Sequence, residues 1–89
     1  MVPVFSWNPD KARRNARKHA VTFEEAGSVL RDPLSVTIGD PLHSTEEYRF
    51  VTMGASDKGR VLVVVHSDFG EMIRIVSARL ATRRERRGL

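Results

Sequence analysis

Cysteine is absent from the 89 residues, which excludes disulfides and thiolate metal ligands and removes any argument for an oxidising compartment. Long apolar runs are absent too. The longest, Val61 to Val65, falls far short of the ~20 residues that a membrane helix needs, and the opening MVPVFSW lacks the charged and long apolar regions of a secretion signal. A cytoplasmic protein without membrane contact is expected. The sequence also lacks a glycine-rich phosphate loop, metal-ligand spacing, a serine with an evident base, internal repeats and linkers. Its three histidines, His19, His43 and His66, fall on different predicted elements, so neither a metal nor another cofactor is expected. The length suits one domain over residues 1–89 with one modest core.

Acidic residues are scarce at the two ends. Residues 10–19 and 74–87 hold 11 of the 15 basic residues against only Asp10 and Glu85, so these ends sum to +9 and the rest to −5, within a net charge of +4. If the first and last helices meet in space they form one basic face, the footprint of a nucleic-acid binder or of a partner with an acidic segment.

The densest stretch is Met72 to Arg87, MIRIVSARLATRRERR. It reads as a strand placing Met72, Arg74 and Val76 on one face and Ile73, Ile75 and Ser77 on the other. A short connection then carries Arg79, and a helix opened by the Thr82–Glu85 capping-box spacing carries Arg83, Arg84, Arg86 and Arg87. Six guanidiniums in sixteen residues suit a polyanion, because each planar fork can hold a phosphate through two parallel hydrogen bonds. A solvated terminal helix is the plainer reading of the tail arginines.

Earlier in the chain, Pro3 to Trp7 reads as a strand. Asn8 then Pro9 starts a helix reaching His19, with one stripe of Ala12, Ala16 and His19 and a second of Lys11, Asn15 and Lys18. Thr22 and Glu25 have capping-box spacing, and the helix they open presents Phe23, Ala26, Gly27 and Leu30 before Asp32-Pro33 ends it. Strands are predicted at Leu34 to Ile38, Glu47 to Ala55 and Arg60 to Ser67, with a polar loop holding His43 and Ser44 and turns at Ser56 to Gly59 and Asp68 to Glu71. The last three strands form an antiparallel meander centred on the apolar Arg60–Ser67 segment. The expected class is therefore α+β: a compact antiparallel sheet flanked by two N-terminal helices and a short C-terminal one.

Basic side chains on a twisted sheet are what a metal-free ribonuclease uses. A 2′-hydroxyl attacks the adjacent phosphorus, so one group takes a proton, another gives one to the departing 5′-oxygen, and cations stabilise the added negative charge. Histidine or lysine can trade the protons and arginine can hold the charge. Plainer readings stand beside this one: His19 as a helix-end residue, His43 as solvated, His66 as packed, and Arg49 and Arg60 as surface arginines paired with Glu46, Glu47 or Glu71.

Two blocks, KHxVxFEEA from Lys18 to Ala26 and IRIxSARxATxxER from Ile73 to Arg86, together with Phe5, Trp7, Lys11, Asn15, Asp32-Pro33, Glu46-Glu47, Arg49, Gly54 and Gly59-Arg60, resemble the BrnT family of toxins over nearly the whole chain. The resemblance implies a RelE-like fold. It implies a ribonuclease of a type II toxin–antitoxin pair that inhibits translation by cutting RNA. It also implies a ribbon-helix-helix antitoxin, BrnA-like, through which the complex reaches operator DNA. Carried over by position, Lys18, His19, Arg49, Arg60, Arg74 and Arg79 are the expected catalytic set, with Lys18 or His19 in proton transfer, and Lys11 is carried over with them; Lys11, together with Arg14, Arg83, Arg84 and Arg87 of the basic clusters, is expected to bind RNA. The alternative is a non-catalytic module that binds nucleic acid or antitoxin as an operon co-repressor. The sequence departs from the family pattern in having Asn8 for Asp, Ala20 for Gly after Lys-His, and no aromatic residue after the final arginines.

Overall fold

The structure is a computed structural model that describes residues 4–40 and 48–88. Among these residues the element order is β1 (Val4–Ser6), α1 (Pro9–His19), α2 (Phe23–Leu30), β2 (Val36–Gly39), β3 (Arg49–Ala55), β4 (Val61–Phe69), β5 (Met72–Leu80) and α3 (Arg83–Arg87). Expected features at Pro3, His43, Ser44, Glu46 and Glu47 lie outside the described residues.

The five strands form one sheet in the order β1-β5-β4-β3-β2. The most apolar strand, β4, is central, with β5 on one side and β3 on the other. The meander is antiparallel, as is β2 on β3. β1, however, pairs with β5 in parallel, Val4 beside Met72 and Ser6 beside Arg74. The sheet is therefore mixed, where an antiparallel one was expected. The reason is connectivity: β1 and β5 are far apart in sequence, so no hairpin dictates their sense.

Local chemistry sets the helix ends. The Asn8 side chain accepts the amides of Asp10 and Lys11 at 2.8 and 3.2 Å, and Pro9 fills the first turn where its missing N–H costs nothing. Thr22 accepts the Glu25 amide at 3.1 Å, but the expected reciprocal bond gives way to a different use of Glu25, whose carboxylate turns to Arg60 and Ser56. The box at Thr82 and Glu85 is complete. After α2, Asp32 ties Leu34 and Ser35 into a turn, which delays β2 to Val36 rather than the expected Leu34.

One face of the sheet carries the core. Leu62, Val64, Ile75 and Ala78 pack against Val21, Phe23, Ala26 and Val29 of the helical layer, all at most 1% exposed. Burying each large aliphatic or aromatic side chain here contributes about 1.5–3 kcal/mol. Gly27 lets α2 close onto β1, because a Cβ there would meet the Phe5 ring at 3.3 Å. Trp7 meets Phe23 edge to face at 6.0 Å. Beyond the helices, His66 is buried with both ring nitrogens bonded, to Asp68 and to Thr52 at 2.7 Å each, and Phe50 stacks on it. The packed role considered for His66 is the one observed.

The other face is open, and an irregularity in β5 decides what it shows. Val65 pairs with Ser77 but His66 pairs with Ile75, so Val76 is an extra residue. A bulge of this kind shifts the alternation by one. Ser77 therefore joins Arg74 on the open face instead of standing opposite it, and strand geometry continues through Arg79 to Leu80. Arg79, expected in a connection, is a strand residue whose register partner is Val63.

Candidate nucleic-acid interface

Helix α1 ends in Arg17, Lys18 and His19, where the negative end of the helix dipole favours cations. Its positions 11, 14, 15 and 18 form one stripe at helical spacing, and in this stripe Asn15 is the exception: it is buried. Its amide nitrogen donates to the carbonyls of Val21 at 3.0 Å and Ala78 at 2.8 Å, and its oxygen accepts the Ala78 amide at 3.1 Å. β1 accompanies β5 only as far as Arg74. Asn15 thus takes the place of a strand partner at the next part of that edge, and it fixes α1 to β5.

Beside this clamp lies a hollow of about 330 Å³ lined by Lys11, Arg14, Asn15, Lys18, His19, Val76 and Ser77. Among the described residues, four basic side chains border it and no carboxylate does. The β5 bulge supplies its floor, and Ser77 stands between the hollow and the open face, where Arg74 and Arg79 flank it along the strand. Arg49, Ser67 and Arg74 form one cross-strand row on that open face. A phosphodiester in the hollow can be met by ammonium and guanidinium groups along one helix, with imidazole at its end.

Arg79 and Arg60 have carboxylate partners already. Arg79 donates two parallel bonds to Glu85 at 2.8 and 2.9 Å. The Arg79 guanidinium, and then the Thr82 amide, hold Glu85 down to about 2 from 4.5. Arg60 stands at the C-terminal end of α1, where it donates to the Ala20 carbonyl at 3.0 Å and clasps Glu25 through Nε at 3.0 Å and a second, shorter contact. That clasp is the main cause lowering the Glu25 pKa, against the opposing effect of burial, with Ser56 adding a 2.6 Å bond. Arg60 is thus outside the hollow. Arg83, Arg84 and Arg87 are exposed on α3.

The structure therefore gathers Lys11, Arg14, Lys18 and His19 in one place and Arg49, Arg74 and Arg79 on the adjoining sheet face. Asn15, Glu25 and Glu85 are the residues that set this arrangement. Glu25 and Glu85 both had a local sequence signal, capping-box spacing, but only at Glu85 does the reciprocal bond form, and nothing local marked the clamp made by Asn15. Ala20 adopts φ 57°, ψ 33°, the left-handed conformation that the family pattern fills with glycine. Among the described residues no three His, Asp or Glu side chains are gathered as a metal site, and no helix is long and apolar enough to cross a membrane.

The fold and the site define a class: a small α+β domain with a cationic hollow at a sheet edge, complementary in charge to a polyanion. Residues 7–85 match the family described as ribonuclease toxin, BrnT, of type II toxin–antitoxin system, and the chain belongs to that family. A crystal structure of the Brucella abortus ribonuclease toxin, BrnT, superposes with a TM-score of 0.64 at 17% identity, covering 93% of this chain and 100% of that one. That likeness is one of fold. No curated protein sequence matches the chain.

Proposed function

We propose that this chain cuts RNA in the cytoplasm without a metal ion, through the hollow between α1 and β5, and thereby inhibits translation. One observation carries the reading: four basic side chains of α1, Lys11, Arg14, Lys18 and His19, converge on a hollow that has no acidic residue among its described lining. His19 or Lys18 removes the 2′-hydroxyl proton while the 2′-oxygen bonds to phosphorus. The bond to the 5′-oxygen breaks, and the other of the pair protonates that oxygen, leaving a 2′,3′-cyclic phosphate and a free 5′-hydroxyl. Lys11 and Arg14 hold the flanking backbone. Arg74 and Arg79 stabilise the phosphorane charge across the bulge, with Arg49 beside them, and Arg83, Arg84 and Arg87 extend the electrostatic track. RNA phosphate exchanges for Glu85 on Arg79 as substrate enters. Arg60 serves the site by fixing the end of α1.

The partner in this reading is an antitoxin with a ribbon-helix-helix domain, which neutralises the toxin and carries the pair to operator DNA. The test is cleavage of a defined RNA by antitoxin-free protein in EDTA, with the product ends analysed. Cyclic phosphate ends are expected; cutting that needs added metal contradicts the reading. A second reading, a non-catalytic co-repressor, draws on the carboxylates already bound to Arg60 and Arg79. It predicts antitoxin binding with no cleavage even when ribosomes are supplied.

A further inference from the structure

The open face of the sheet has an apolar groove of about 220 Å³ walled by Val36, Ile38, Val51, Met53 and Val63, with Glu85 at its end. Its outer wall is the edge strand β2, where Val36 and Ile38 are 53% and 62% exposed. Val36 registers on Met53, Ile38 on Val51, and Val63 on Arg79. The groove is thus continuous, through one cross-strand pair, with an arginine of the proposed RNA site. Aliphatic walls are poor ligands for a phosphodiester backbone and good ones for the apolar side of a protein segment.

We propose that this groove is the seat of the antitoxin, which lays over it an amphipathic segment with apolar side chains inward and carboxylates at its flank. Two features favour this occupant over a second copy of the chain. A type II toxin–antitoxin protein has an antitoxin partner. The groove also ends at α3, where Glu85 is surrounded in sequence by Arg83, Arg84, Arg86 and Arg87, so an acidic segment meets complementary charge and a second basic chain meets repulsion. The inhibitory consequence rests on the nuclease reading above: a segment seated beside Val63 covers Arg79 and denies it to RNA.

The test uses Ile38→Glu and, separately, Val36→Glu, both at exposed positions outside the RNA site. Affinity for the antitoxin encoded beside the toxin gene is measured by calorimetry, with RNA cleavage followed in parallel. Placing a carboxylate in the groove is expected to weaken antitoxin binding by at least about 30-fold, leaving cleavage unchanged and releasing toxicity in cells that co-express the antitoxin. Hydrogen exchange on the unaltered complex is expected to show protection in β2 and β3. Unchanged affinity in both variants overturns the proposal, as does lost cleavage with antitoxin binding retained, which makes the groove an RNA surface. Loss of self-association with antitoxin binding retained assigns the groove to a second copy and overturns it as well. Absence of cleavage in every protein, the unaltered one included, refutes the nuclease reading alone, since the affinity comparison does not depend on it.

Discussion

Arg79 and Glu85 face each other across the turn from β5 to α3 through two parallel hydrogen bonds of 2.8 and 2.9 Å. Glu85 also accepts the Thr82 amide at 2.8 Å, so one carboxylate closes the helix cap and orients a strand arginine. Its pKa is depressed to about 2 from 4.5. A depressed carboxylate adds stability that is present above the unfolded value and is lost as pH falls through the folded one. Denaturation midpoints of the unaltered protein are expected to drop between pH 4.5 and about 2 more steeply than those of Glu85→Gln. The amplitude is small, because both side chains are partly exposed and water screens them. Parallel curves for the two proteins contradict the pairing.

Ala20 holds a left-handed conformation at the end of α1, and the Arg60 guanidinium bonds its carbonyl. A Cβ in that region costs about 1–2 kcal/mol, offset in part by glycine's greater freedom when unfolded. Ala20→Gly is expected to stabilise the fold by about 1 kcal/mol in urea denaturation. A loss of stability contradicts the strain argument.

Asn15 makes three buried hydrogen bonds that lock α1 to the edge of β5. Asn15→Leu leaves the Ala78 amide and two carbonyls without these partners, at a cost of about 2–3 kcal/mol by thermal denaturation. Cleavage is expected to fall as well, because Lys18 and His19 are carried by the same helix. Unchanged stability means that the clamp does not set the helix.

Arg60 compensates the buried carboxylate of Glu25, whose side chain is 1% exposed. Arg60→Ala is expected to lower the thermal midpoint by several degrees, since an uncompensated buried charge is costly, and Glu25→Gln in that background is expected to recover part of the loss. Lost cleavage with full stability instead assigns Arg60 to phosphate contact.

What sequence could show follows from the range of the forces involved. Caps at Asn8, Thr22 and Thr82 depend on residues three apart, and the apolar β4 on contiguous side chains, so both were legible. The departure at Ala20 showed against the family pattern, and its left-handed backbone appeared only in the structure. The β5 bulge was not legible, because a single extra residue leaves no mark on alternation until a partner strand is known; the face of Ser77 was misplaced as a result, and Arg79 was put in a connection where β5 continues to Leu80. The parallel pairing of β1, the Asn15 clamp and the Glu25–Arg60 clasp join residues 35 to 68 positions apart, beyond any local pattern. The basic character of the site was plain from charge alone, but its division into a hollow on α1, a row on the sheet and a separate Arg60 was not.

The most direct test of the hollow is cleavage of a defined single-stranded RNA, in EDTA and without antitoxin, by Lys18→Ala and His19→Ala proteins beside the unaltered one, each with its thermal midpoint measured. Loss of a proton-transfer group is expected to slow cutting by about 100-fold or more in at least one variant, with midpoints close to the unaltered value. Full cleavage by both folded variants would contradict the assignment of the hollow between α1 and β5 as the active site.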